Sequence, residues 1–166
     1  LEHAYAHRRA GVPETGSARE IRPGLLWIRM PLPFVLNHIN VYALEDGDGW
    51  TIIDTGARTE ATTAAWQQLL ADALGGRPVK RVLVTHMHPD HIGMAGWLTR
   101  KFECRLWITR LEYLLCRMLV ADTGREAPDD GVDFYRRAGW DESALEQYRA
   151  RFGGFGKGIY RLPDSY

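Results

Sequence analysis

Apolar residues change their spacing several times along this chain, and each change marks a predicted element. Leu25 to Leu32 reads as a strand, ended by Pro31 and Pro33. His38 to Glu45 and Trp50 to Asp54 are two further predicted strands. Between them Asp46-Gly47-Asp48-Gly49 predicts a hairpin, because glycine tolerates positive φ. From Thr59 the period lengthens: Thr63, Trp66, Leu70 and Leu74 recur at helical spacing, with Thr59 as the cap and Gly75-Gly76 as the stop. Val82-Leu83-Val84, within Arg81 to Thr85, is a continuous apolar run of the kind a strand covered on both faces carries. A helix through Ile92, Ala95, Thr99 and Phe102 follows, then a short strand from Cys104 to Ile108. Strands first, then alternating helix and strand, place the chain in the α/β or α+β class, with helices packed on a sheet.

From Thr109 to about Phe152 the pattern is purely helical. Thr109-Arg110-Leu111-Glu112 has the capping-box form, in which hydroxyl and carboxylate each satisfy an exposed N–H. Behind it Leu111, Leu114, Leu115, Met118 and Leu119 form one apolar stripe. Further helices are predicted from Asp130 to Ala138 and from Asp141, the latter with Leu145, Tyr148 and Phe152 on one face. Gly153 to Gly158 reads as a flexible loop by composition. Residues 1 to about 20 lack periodicity and read as a flexible arm, which leaves 21–166 as the domain and 109–152 as a helical insertion or lid. Aromatic residues of that insertion, among them Tyr113, Phe134, Trp140 and Tyr148, read as ordinary packing, with a hydrophobic lid over substrate as the alternative.

Composition narrows the function classes. A length of 166 residues fits one domain, and 45% apolar with 25% charged residues is a globular balance. Basic and acidic residues number 21 each, so the basic excess of a nucleic-acid binder is missing. No apolar run approaches the length of a bilayer span, and the first twenty residues hold no apolar signal core. Cys104 and Cys116 match no metal or redox spacing, which points to reduced thiols in a cytoplasmic protein. The expected partner is a small molecule, with neither nucleic acid nor membrane.

Chemistry concentrates in Thr85-His86-Met87-His88-Pro89-Asp90-His91, directly after a predicted strand. Four residues able to bind metal fall within six positions there, including half of the six histidines in the chain. His86 and His88 are two apart, so extended backbone sends both imidazoles to one side. Pro89 suits the first turn of a helix, and Asp90 and His91 then project from the helix start toward the same mouth. Such a corner can present ligands to two adjacent cations. Imidazole with carboxylate suits zinc, and also iron or manganese. A bound divalent cation lowers the pKa of its water toward neutrality and so generates hydroxide. Asp54 stands at a strand end before Gly56, where it either holds the metal loop or caps the helix entering at Thr59. His38, alone in its segment, reads as structural.

The run His86-x-His88-x-Asp90-His91 resembles the signature of the metallo-β-lactamase-fold hydrolases. Thr51-Ile52-Ile53-Asp54-Thr55-Gly56 resembles that superfamily's strand ending in Asp-x-Gly. Pro31-Leu32-Pro33-Phe34 through Asn40-Val41-Tyr42 is similar to the opening hairpin of its hydroxyacylglutathione-hydrolase-like branch. The resemblance spans about Leu25 to Ile108. It implies an αββα sandwich with two divalent metal ions, most suitably zinc, at one edge. His86 and His88 would bind the first metal, Asp90 and His91 the second, and Asp54 would support the loop from behind.

The resemblance also implies later ligands, a further His, a bridging Asp and a last His, yet no histidine follows His91. About five predicted strands supply one sheet, whose second apolar face needs a cover. The expectation is therefore the N-terminal half of such a sandwich, with a helical insertion after the fifth strand. A missing C-terminal half, a second chain or a homodimer partner would complete it. The implied activity is hydrolysis of a small acyl ester, thioester or lactone by a metal-bound hydroxide that Asp90 positions. This portion alone is expected to bind metal weakly and to be inactive. An iron-dependent thiol or persulfide dioxygenase of the same fold, and a non-catalytic interaction module, are the alternatives.

Overall fold

In a computed structural model, which describes residues 11–166, six strands hydrogen-bond in sequence order. They are β1 (Ala18–Arg22), β2 (Leu25–Pro31), β3 (His38–Asp46), β4 (Gly49–Ile53), β5 (Val79–Leu83) and β6 (Arg105–Trp107). β1 to β4 pair antiparallel, while β4–β5 and β5–β6 pair parallel. A parallel pair needs a crossover, which α1 (Glu60–Ala71) supplies before β5. α2 (Pro89–Ile92) and α3 (Ala95–Phe102) supply the next one, before β6. The helical stretch comprises α4 (Arg110–Ala121), α5 (Asp129–Arg137) and α6 (Glu142–Arg151), followed by a 3-10 turn, Phe155–Gly158. Among the described residues no helix is long and apolar enough to cross a membrane.

Several local predictions hold for the expected reasons. Gly47, at φ 63°, turns the β3–β4 hairpin in which Asp46 pairs with Gly49. The Thr59 hydroxyl caps α1 by accepting the Thr62 N–H at 3.0 Å. Trp66, Leu70 and Leu74 are buried below the sheet.

Three expectations are corrected. Ala18–Arg22 pairs with β2 as a strand, so residues 18–20 do not belong to the flexible arm expected over 1–20; residues 1–10 lie outside the described residues. The helical insertion consequently follows the sixth strand. The single helix expected through Ile92 and Phe102 is broken at Gly93 and Met94 into α2 and α3. The Gly153–Gly158 segment is not open loop: Gly156 packs closely on Thr123, and Gly158 lies against Pro89.

The two sheet faces differ sharply. Ile28, Met30, Val41, Ala43, Ile52, Val82 and Leu106 are fully or almost fully buried with Trp66 and Leu98 of the helices. Each large aliphatic side chain buried there contributes roughly 1.5–3 kcal/mol. On the opposite face Trp27, Tyr42, Ile53, Leu83 and Trp107 stand in register, one per strand from β2 to β6. Leu83 is 37% exposed and Trp107 50%. Strand β5 is therefore covered on one face, not both: Val82 and Val84 are buried and Leu83 between them is open.

Helix α4 is also turned differently from the expectation. Its buried positions are Tyr113 and Cys116, whereas Leu111, Leu114 and Met118 of the predicted stripe are each more than half exposed. Tertiary contacts set this rotation. The Tyr113 hydroxyl donates to the Pro163 carbonyl at 2.7 Å and its ring stacks on Tyr166. The capping box forms by half, with the Thr109 hydroxyl accepting from the Glu112 N–H. The Glu112 carboxylate instead accepts the Met87 N–H at 2.8 Å. Tyr135 stacks on Trp140 and meets Tyr148 at a tilt, so these aromatics of α5, α6 and the turn between them pack on one another.

Candidate metal centre

Parallel strands β4 and β5 end side by side, and their C-terminal ends carry the two motifs. Asp54 follows β4 with φ 59°, a left-handed conformation that Asp tolerates better than most residues. Its N–H donates to the Leu83 carbonyl, while its carboxylate faces the loop after β5. There Oδ1 accepts the Thr85 N–H at 2.8 Å, and the Thr85 hydroxyl stands 2.8 Å from Oδ2. Oδ2 also meets His91 Nδ1 at 2.9 Å. Asp54 thus holds the loop; Thr59, not Asp54, caps α1.

The loop turns into α2 at His88, the residue before the helix, with Pro89 at its first position. His91 sits in the last turn of this short helix, and its carbonyl accepts from both the N–H and the hydroxyl of Thr55, each at 2.7 Å. Thr55 is fully buried, and its own carbonyl accepts from Trp66 Nε1 at 2.7 Å. Gly93 lets α2 lie against the β4 end, since a side chain there would collide with the Gly56 carbonyl.

His86, His88 and His91 gather at this corner. The His86 ring centroid is 4.0 Å from that of His91 and 4.8 Å from that of His88. Asp90 Oδ2 lies 3.5 Å from His91 Nε2, and the Thr85 hydroxyl lies 3.0 Å from His86 Nδ1. Burial disfavours ionisation of Asp54, but the His91 and Thr85 hydrogen bonds outweigh it and hold the carboxyl below its ordinary range. The same bond from Asp54 raises the His91 pKa against the opposing effect of burial.

The donor set suits a divalent cation in type: three imidazoles and a carboxylate share one corner, and Asp54 leaves His91 Nε2 facing Asp90. Among the described residues no three His, Cys, Asp or Glu converge as a ligand group; the His86 ring lies at 46° to that of His91 and 84° to that of His88.

Other candidates lie elsewhere. His38 meets Arg29 and Asn37. Downstream acids are engaged away from the corner: Asp122 with Arg125, Asp133 with Arg136, Asp164 with Arg117, and Asp141 as the cap of α6. Burial raises the thiol pKa of both Cys104 and Cys116, the latter to about 11, so neither is a ready nucleophile. The supporting contacts of Thr55, Thr85 and Glu112 were not read from the sequence, where Thr55 and Thr85 stood only inside motifs and Glu112 only as a helix cap. A fully polar Thr placed between Asp54 and Gly56 at the end of a buried strand was the available signal for the first.

A family model described as the metallo-beta-lactamase superfamily matches residues 35–163. The chain belongs to the metallo-beta-lactamase superfamily. Among curated relatives, the probable metallo-hydrolase YqjP of Bacillus subtilis (strain 168) is 40% identical over 77 residues, 46% of this chain and 24% of that protein. The atrochrysone carboxyl ACP thioesterase of Passalora fulva is 34% identical over 97 residues, 56% of this chain and 28% of that protein. A solved beta-lactamase domain protein from Burkholderia ambifaria aligns with a TM-score of 0.74 at 37% identity, covering 93% of this chain and 45% of its own. The chain thus spans less than half the length of these metallo-beta-lactamase superfamily relatives. Proteins of this superfamily generally bind divalent metals, typically zinc.

Proposed function

We propose that this chain carries the cation-binding corner of a metal-dependent hydrolase that cleaves a small acyl ester, thioester or lactone. The observation that carries the proposal is the gathering of His86, His88, Asp90 and His91 at the end of β5, with Asp54 braced behind His91. His86 and His88 are assigned to one cation, and Asp90 and His91 to a second. Zinc suits this nitrogen and oxygen set best, with iron or manganese compatible. Bound there, divalent cations supply hydroxide near neutral pH and positive charge for a developing oxyanion. Asp54 orients the His91 ring and fixes which nitrogen faces outward. Asp90, beside that nitrogen, orients the attacking water and accepts its hydrogen bond.

The substrate's acyl part is assigned to apolar surface around the corner. Phe34, Val35 and Leu36 project from the β2–β3 connection at the sheet edge where Asp54 stands, all strongly exposed. The thioester gains support from the Passalora fulva relative, which is named a thioesterase. The half-buried to exposed row from Trp27 to Trp107 is taken as the seat of a second sheet, supplied by further chain or by a second copy, together with the remaining metal ligands.

The test is hydrolysis in the full-length protein that contains this chain. Acyl-thioester cleavage abolished by a chelator and by His88→Ala supports the proposal. Turnover indifferent to chelation contradicts it, and bound iron with oxygen uptake replaces it with the dioxygenase alternative.

A further inference from the structure

We infer that Glu112 is a positioning residue for the His86–His88 segment, a role that rests on the cation reading of the corner. Glu112 lies 25 residues beyond Met87, in the first turn of α4, and its Oε2 accepts the Met87 N–H at 2.8 Å. That N–H belongs to the planar peptide joining His86 to Met87. Holding this peptide fixes ψ of His86 and φ of Met87, and with them the directions of the imidazoles on either side. A charged acceptor makes the bond stronger than a neutral one. The loop has few other restraints here: His88 is exposed and no side chain caps α2.

Helix α4 is anchored well enough to serve as the fixed end. The Thr109 hydroxyl caps it, Cys116 is fully buried, and the Tyr113 hydroxyl bonds the Pro163 carbonyl. The helix also reaches the corner a second way. Thr123, just past its end, packs on Gly156 of the 3-10 turn, and Gly158 of that turn lies against Pro89. The helical stretch thus backs the histidine loop at Met87 and at Pro89. It is a brace as well as an insertion, and the Thr109-x-x-Glu112 pattern serves the loop as much as the helix.

Cobalt(II) binding by the full-length protein that contains this chain, followed by its visible absorption, tests the role, with hydrogen exchange of the Met87 amide as a metal-free readout. Glu112→Ala is expected to weaken cobalt binding about tenfold or more, the usual effect of losing an outer partner, and to speed Met87 exchange. Glu112→Gln, which keeps a carbonyl acceptor, is expected to stay within about threefold of the unaltered chain. Asp141→Ala removes the cap of α6, away from the loop, and is expected to lower stability without changing cobalt affinity. Unchanged affinity or unchanged Met87 exchange in Glu112→Ala overturns the proposal. So does equal weakening in Glu112→Gln or in Asp141→Ala. If the unaltered full-length protein shows no saturable cobalt binding, the cation reading itself falls and this proposal with it.

Discussion

Asp54 Oδ2 stands 2.9 Å from His91 Nδ1, so the end of strand β4 sets the ring of a helix that begins only after strand β5. The contact joins the two motifs, 37 residues apart in sequence, into one site. It also explains the left-handed backbone at Asp54, which swings the carboxylate off the strand axis and toward the loop.

Removing that carboxylate tests the connection. Asp54→Ala and Asp54→Asn are each expected to weaken divalent-metal affinity about 10–100-fold, measured by competition with a chelating dye. Affinity within twofold of the unaltered protein in both variants would show that His91 needs no such support.

A second prediction concerns the seam behind the site. Trp66 Nε1 donates to the Thr55 carbonyl, and Thr55 in turn holds the His91 carbonyl. Trp66→Phe retains a buried aromatic ring but strands that acceptor, and is expected to cost about 1–3 kcal/mol in urea denaturation. Loss of less than about 0.5 kcal/mol would mean the indole bond contributes little.

The sequence made the site more legible than its surroundings. Pro89 opens a helix as its place after the strand predicts, and Asp54 needed only its place at a strand end, but Thr85 and His86 form a bend rather than the extended backbone expected there. Strand β1 was hidden because Ala18–Arg22 has no apolar alternation; its place comes from pairing with β2. The rotation of α4 departs from its apolar stripe for a related reason. Leu111, Leu114 and Met118 make the obvious stripe, yet the partners that set the rotation, Met87 and Pro163, lie far away in sequence. Continuity of Val82-Leu83-Val84 suggested two covered faces, but an apolar residue reports only that its face suits burial, not that something in this chain buries it.

That open face yields a third prediction. Trp27, Tyr42, Ile53, Leu83 and Trp107 form one row across five strands, an apolar surface of the kind that seeks a partner. The isolated 166-residue chain is expected to dimerise or aggregate in sedimentation experiments. Leu83→Lys combined with Trp107→Lys is expected to shift it toward monomer. A stable monomer of the unaltered chain at high concentration would refute the need for a cover.

The most direct test of the cation site is metal content after equilibrium dialysis against zinc, in the full-length protein that contains this chain. Bound zinc is expected, and His88→Ala and Asp90→Ala should each lower its amount. Unchanged stoichiometry in both variants would contradict the assignment of this corner as a metal centre.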